Sequence, residues 1–166
     1  MSTDSEPRGG HAAAFEKVRL DAEANPSLMA IARSGADAFG YTATLKLDGA
    51  LAQLLRLRVA QMNNCVYCLS VHYAAAEDIG IAAVKVNMLT AWWETNLFSG
   101  AERAALAYTE RLTRAADATS ETPFQTAHDD LAAHFDDEQM LEVAAVVINM
   151  NIWTRLKLVE GATPRT

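Results

Sequence analysis

The chain has 166 residues and a formal net charge of −7, and 51% of its residues are hydrophobic. This length fits one domain with a sizeable core. An acidic surface repels phosphate backbones and anionic lipids, which argues against nucleic acid and membrane partners. No run of the sequence approaches the roughly 18 apolar residues of a membrane span, and residues 1–10 lack the basic and apolar regions of a signal peptide. These features predict a cytoplasmic protein.

Helix signals follow one another along the whole chain. Asn25–Pro26 predicts a helix start, and the pairs Ser99-x-x-Glu102 and Asp136-x-x-Gln139 predict two more. Apolar spacing and turn residues then give about seven helices, at about 26–40, 47–62, 65–79, 81–89, 99–116, 123–134 and 136–159. Strand signals are scarce, so the predicted fold class is all-α, a bundle of about seven helices.

No linker or repeat divides the chain. We expect a single domain over residues 11–160, a disordered tail at residues 1–10 and a second tail at residues 161–166. The last predicted helix is apolar nearly all round, with an uninterrupted apolar run over Val143–Ile148. Such a helix is buried on more than one side, which places it at the centre of the bundle and predicts a homo-oligomer.

Other polar and aromatic side chains are assigned to structure. Arg56, Arg58 and Lys46 are expected on a solvated face, and Trp92 and Trp93 in the core or an interface. Asn149 and Asn151 interrupt the apolar last helix, where buried amides need hydrogen-bond partners, so we expect interface or pocket positions.

The two cysteines of the chain are three residues apart, in Cys65-x-x-Cys68-x-x-x-His72. In the first turn of a helix, free backbone N–H groups and the helix dipole stabilise a thiolate. His72 follows Cys68 by one helical turn, so its ring can approach that sulfur. A thiolate that attacks a peroxide becomes a sulfenic acid, and a second thiol one turn away condenses with it to a disulfide. The motif therefore predicts a thiol redox centre.

Two other interpretations of the cysteines stay open. They could be buried as small hydrophobic residues, or they could bind zinc in a structural oligomer. Zinc prefers four ligands, and the other histidines are His11, His128 and His134. The choice of the more acidic thiol is also open, because the helix terminus favours Cys65 whereas the spacing to His72 favours Cys68.

The segment Leu57–His72 closely resembles the signature of the carboxymuconolactone decarboxylase superfamily, and in particular its AhpD-like alkylhydroperoxidase branch, which carries C-x-x-C-x-x-x-H. Phe98–Ala107 and Ile148–Leu156 are similar to later segments of those proteins. The resemblance implies an all-α fold that assembles as trimers or hexamers. It also implies hydroperoxide reduction by a redox-active disulfide without a further cofactor, with electrons returned by an external dithiol or thioredoxin-like donor.

The resemblance also implies roles for single residues. Cys68 would attack the peroxide, Cys65 would resolve the sulfenic acid, and His72 would move the proton. The family usually has a glutamate twelve residues before the first cysteine, where this chain has Gln53. An amide can orient His72 but cannot accept a proton at neutral pH. We therefore expect slow peroxidase turnover or a different dithiol role, such as a redox sensor or a disulfide exchanger.

Overall fold

The computed structural model of the protein describes residues 15–117 and 124–164. Within them the chain forms seven α-helices: α1 Pro26–Phe39, α2 Gly49–Met62, α3 Val66–Asp78, α4 Ala83–Met88, α5 Gly100–Thr113, α6 Phe124–Ala132 and α7 Asp137–Glu160. The all-α fold class and the number of helices are confirmed. The predicted tail at residues 1–10 lies outside the described residues.

The helix starts predicted from side-chain caps agree with the structure. The Asn25 side chain accepts the Leu28 N–H at the start of α1, and Pro26 occupies the first turn. Ser99 and Asp136 each form a complete capping box, with Glu102 at the start of α5 and Gln139 at the start of α7. These local bonds satisfy backbone groups that a helix terminus leaves free.

Helix α2 lies at the centre of the bundle, packed against α3, α5 and α7. Every residue from Leu51 to Ala60 is buried. In the sequence, Leu51, Leu54, Leu55, Val59 and Met62 are at helical spacing and predict one buried stripe on this helix, and that prediction was too narrow. Because neighbours cover α2 on several sides, its polar residues are enclosed together with its leucines.

Helix α7 is the longest helix and packs against α1, α2, α3, α5 and α6, which confirms the expected central position. Part of its apolar surface stays uncovered, since Leu141 and Ile148 are 71% and 52% exposed. The homo-oligomer remains a prediction. Among the described residues, no helix is both long and apolar enough to cross a membrane.

Two three-residue strands pair residues from opposite ends of the described chain. Strand β1, Phe15–Lys17, runs antiparallel to β2, Ala162–Pro164. We expected residues 161–166 to be a tail, but residues 162–164 are held in this ribbon. The strands are too short to show alternation in the sequence. Gly161, between α7 and β2, has a φ of 61°, which is the left-handed conformation that glycine adopts most readily.

The ribbon is fixed by a buried carboxylate. Glu160 is fully buried and lies 2.7 Å from the Lys157 amine and 3.0 Å from the Lys17 amine. It also accepts the backbone N–H of Ala22 at 3.2 Å. Burial acts to raise the pKa of Glu160, but the two lysines outweigh it and hold the pKa below its usual value. A carboxylate buried at this position is thus fully paired.

Candidate active site

The two cysteines lie at the N-terminus of α3 and form a disulfide. Cys65 is the N-cap, and its sulfur accepts the backbone N–H of Cys68 at 3.3 Å, as a serine or aspartate oxygen does at other helix starts. The two Cα atoms are 5.3 Å apart, within the usual range for a disulfide. When the pair is reduced, both sulfurs lie in the field of the first helical turn, which favours thiolates.

A tight turn between α2 and α3 delivers the cysteines to this position. Asn63 ends α2, and its side-chain amide donates to the Val59 carbonyl at 3.0 Å. Asn64 has a φ of 51°, a left-handed conformation that asparagine tolerates better than most residues. The Cys65 N–H then returns to the Ala60 carbonyl at 3.2 Å. The turn therefore lays α3 back along α2.

Gln53 on α2 and His72 on α3 are in direct contact, and both are buried. The Gln53 side-chain nitrogen Nε2 lies 3.1 Å from His72 Nδ1 and donates to the His72 backbone carbonyl at 2.9 Å. A reversed amide would set two carbonyl oxygens against each other, so the nitrogen must face His72. Since an amide nitrogen only donates, Nδ1 accepts and the ring proton is on Nε2.

His72 is neutral in this environment. Burial, and to a lesser degree the positive charge of Arg56, lower the pKa of His72 from 6.5 to about 3. The ring therefore offers its Nε2–H as a hydrogen-bond donor. Its other nitrogen, Nδ1, already accepts a hydrogen bond from Gln53, so neither nitrogen is free to take up a further proton. The arrangement favours hydrogen-bond donation by His72 over proton acceptance.

Cys68 and His72 line the same cavity, of about 200 Å³, between α1, α2, α3 and α7. Its wall is mostly apolar and aromatic, and Tyr41 meets the His72 ring edge to face with centroids 5.9 Å apart. The lining residues are Ala36, Gly40, Tyr41, Arg56, Tyr67, Cys68, Val71, His72, Asn149, Met150 and Trp153. Its volume lies below the roughly 300–1,000 Å³ of drug-sized sites, so it suits a small molecule.

Cys65 lines a different cavity, of about 150 Å³, on the side of the β1–β2 ribbon. Its wall includes Val66, Lys157 and residues of both chain ends, among them Arg19 and Thr163. The two sulfurs of one disulfide therefore have separate surroundings, although they are 1% and 3% exposed as whole residues.

The expected solvated face of Arg56, Arg58 and Lys46 was wrong for the two arginines. Arg56 and Arg58 are 3% and 7% exposed, because α2 is enclosed by its neighbours. Only Lys46, before α2, reaches the surface, where it binds Asp136 and Glu138. Sequence reasoning thus missed Arg56 as a site residue. The signal available was weak: Arg56 is three residues after Gln53 among leucines, but Arg58 shares that position in the sequence pattern.

The remaining candidate residues, two tryptophans and two asparagines, differ in their burial and hydrogen bonding. Trp92 is buried, whereas Trp93 is half-exposed. Asn151 hydrogen-bonds Thr113, Asn63 and Arg155, but the Asn149 side-chain oxygen has no partner although the residue is buried. In the part of the chain that the structure describes, no group of three or more His, Cys, Asp or Glu is placed to hold a metal ion.

The sequence profile of the carboxymuconolactone decarboxylase family matches residues 29–111, half of the chain. The protein belongs to this family. The match spans α2, the turn and α3, and so contains Gln53, the cysteine pair and His72.

Three relatives or solved structures are similar to this chain, and one of them carries a named activity. YdfG of Bacillus subtilis, an uncharacterized protein, is 28% identical over 121 residues, covering 73% of this chain and 80% of its own. A protein of unknown function from Agrobacterium tumefaciens, proposed to be the antioxidant defence protein AhpD, superposes with a TM-score of 0.79 at 22% identity, covering 89% of this chain and 98% of its own. The debrominase Bmp8 superposes with a TM-score of 0.69 at 20% identity, covering 87% and 74%. The fold is AhpD-like, and one protein with this fold is a debrominase.

Proposed function

We propose that the protein is a cytoplasmic thiol-dependent hydroperoxide reductase, in which Cys68 attacks the peroxide and Cys65 resolves the product. The observation that carries this proposal is the disulfide at the start of α3, whose Cys68 sulfur belongs to a residue lining a small cavity together with His72. The AhpD-like fold and the Agrobacterium tumefaciens neighbour, proposed to be an antioxidant defence protein, support the same reaction class.

The reaction balances with two thiols and one hydroperoxide. The Cys68 thiolate attacks the terminal peroxide oxygen, the O–O bond breaks, and the alkoxide leaves and takes up a proton as an alcohol. Cys68 is then a sulfenic acid. The Cys65 thiol attacks its sulfur, and water leaves as the disulfide forms. An external dithiol then exchanges with the disulfide, restores both thiols and becomes oxidised itself.

The proposed role of His72 differs from the proton carrier suggested by the sequence. With Gln53 donating to Nδ1, the Nε2–H of His72 can hydrogen-bond a thiolate or a leaving oxygen without giving up its proton. Gln53 fixes this tautomer, and its amide group also donates a hydrogen bond to the His72 backbone carbonyl. A glutamate at position 53 would instead accept from Nδ1–H and leave Nε2 as a base.

The direct test uses reduced, purified protein and a small organic hydroperoxide. We expect one equivalent of peroxide to be consumed per cysteine pair, with formation of the Cys65–Cys68 disulfide. Cys68→Ser should consume none. Cys65→Ser should consume one equivalent and accumulate a sulfenic acid at Cys68, which a dimedone adduct and mass spectrometry detect. Absence of both peroxide consumption and disulfide formation would rule the function out.

A dithiol redox protein without peroxidase turnover is the second candidate, and the Gln53–His72 contact favours it. A neutral His72 that accepts from an amide provides no general base at the thiol. This protein would exchange disulfides with a partner dithiol but would turn over peroxide slowly with any donor. Wild-type peroxide turnover with several dithiol donors separates the two candidates, because only the first predicts repeated turnover. Slow turnover with every donor together with rapid disulfide exchange supports the second candidate, and a large gain in Gln53→Glu would then show that only the base was missing.

A further inference from the structure

Arg56 is a buried cation without a carboxylate partner among the described residues. It is 3% exposed, and its Nη2 group donates to the backbone carbonyls of Phe39 and Gly40, each at 2.9 Å. Its Nε–H has no hydrogen-bond partner. A buried charge that lacks a counter-ion is strongly destabilising unless another group neutralises it.

Arg56 lines two cavities. The larger one, of about 340 Å³, also has Asp78 in its wall, although Arg56 forms no ion pair with that carboxylate. The cavity that Arg56 shares with Cys68 contains no acidic residue. The titratable side chains around it are Tyr41, Tyr67, His72 and Cys68, and none of these is an acid that ionises readily except the cysteine. In this structure Cys68 is in a disulfide and therefore carries no charge. Lys157 lies over the Tyr67 ring, with its amine 4.8 Å from the centroid, but it is paired with Glu160.

The other enclosed charges among residues 15–117 and 124–164 are paired. Arg58, two residues along α2, lies 2.7 Å from the Glu110 carboxylate, which also accepts the Trp92 indole N–H. Glu160 has two lysines. Among the described residues, Arg56 is therefore the enclosed charge that has no ion-pair partner, and it lies beside the cavity of Cys68.

We infer that the counter-ion of Arg56 is the thiolate of Cys68, which exists only when the cysteine pair is reduced. Oxidation converts the thiolate to a disulfide sulfur and leaves the guanidinium unpaired, as it is in this structure. During peroxide attack the negative charge passes from the sulfur to the leaving oxygen, and the same cation stabilises both. Arg56 would thus promote formation of the thiolate through its charge, whereas the glutamate that is usual in the family would do so as a base. The inference rests on the proposed function only in taking Cys68 as the reactive thiol.

The experiment measures thiol ionisation and uses no peroxide. Reduced Cys65→Ser protein has a single thiol and keeps a good helix cap. Its iodoacetamide alkylation rate against pH gives the pKa of Cys68, which we expect below the ordinary value of about 8.5. Adding Arg56→Met should raise this pKa by about one unit and slow alkylation at pH 7 about five- to ten-fold, since only the thiolate reacts. Arg56→Lys should restore most of the rate.

Arg33→Met is the matched control. It removes an exposed cation of α1 that pairs with Glu23, and solvent screens such a charge, so the pKa of Cys68 should not move. An unchanged pKa in folded Arg56→Met protein would overturn the inference. A lysine variant as unreactive as the methionine variant would also overturn it, because lost packing and not lost charge would then be the cause.

A second measurement leaves Arg56 in place and covers the case in which its variants do not fold. In reduced, ¹⁵N-labelled Cys65→Ser protein, the Arg56 Nε–H signal should shift with pH at the midpoint of Cys68 ionisation. A signal that does not respond to that ionisation would overturn the inference. A protein that fails to reduce peroxide but shows this coupling would refute the proposed function alone.

Discussion

Arg56 and Arg58 are two residues apart on α2, and both are buried, yet their surroundings differ. Arg58 lies between Glu110 and the face of Trp93, in a network made only of side chains from the bundle. Arg56 reaches two backbone carbonyls and a cavity shared with Cys68. The comparison shows one helix carrying the same residue type for two purposes. The Arg58 guanidinium has its counter-ion in the folded bundle, whereas by our inference the Arg56 guanidinium gains one only when the cysteine pair is reduced.

The largest expected effect on stability comes from breaking the ion pair between Arg58 and Glu110. Arg58→Met leaves the Glu110 carboxylate without its cation, and removal of one partner from a buried ion pair costs about 3–5 kcal/mol. Urea denaturation should therefore show a free energy of unfolding lower by about that amount, in either redox state. Combining Arg58→Met with Glu110→Leu should recover a large part of the loss. If the single variant were as stable as wild type, the pair would not be structural.

The second expected effect concerns pH and the neighbour of Arg56. His72 has a pKa of about 3 in the folded protein and about 6.5 when unfolded. As the pH falls below about 6.5, the unfolded chain binds a proton that the folded chain refuses, so stability falls until about pH 3. By pH 4 this contribution amounts to about 3 kcal/mol, at about 1.4 kcal/mol per pH unit.

His72→Asn is the control for this pH effect, because its side-chain oxygen can replace Nδ1 as the acceptor for Gln53. The variant should lose that part of the acid sensitivity in a series of urea titrations between pH 4 and 8. Equal pH slopes for wild type and variant would show that His72 titrates normally in the folded protein.

The smallest expected effect distinguishes Arg56 from Arg58 most sharply. In the oxidised protein, Arg56→Met loses two charged hydrogen bonds to carbonyls but also removes an unpaired buried charge, so we expect a loss of about 1–2 kcal/mol. In the reduced protein the thiolate loses its partner as well, and the loss should be larger. Denaturation of both redox forms measures the difference. An identical loss in both forms would make Arg56 as purely structural as Arg58.

The sequence was informative wherever a few adjacent residues decide the outcome. Asn25, Ser99 and Asp136 fixed three helix starts through their own side chains, and the cysteine motif located the disulfide at the start of α3. The Gln53–His72 contact also follows from their positions on adjacent helices of a known family. These features need only local bonds or a familiar helix pair.

The environment of α2 was not predictable in the same way. Leu51, Leu54 and Leu55 indicate a buried stripe, but the burial of Arg56 depends on α1 ending where its last carbonyls meet the guanidinium. Phe39 is seventeen residues from Arg56 in the sequence and contacts it through a backbone carbonyl, so its side chain gives no sign of the contact. The same holds for β1 and β2, whose pairing joins residues from opposite ends of the chain.

That pairing has a practical consequence. Phe15 is opposite Pro164 in the ribbon, and residues next to both strands line the cavity that contains Cys65. A domain tethered by a short flexible linker at either position would be held near that sulfur at an effective concentration in the millimolar range. If the disulfide is recycled by an external dithiol as proposed, a dithiol carrier joined to residue 164 would make this step intramolecular, and its rate would no longer depend on protein concentration.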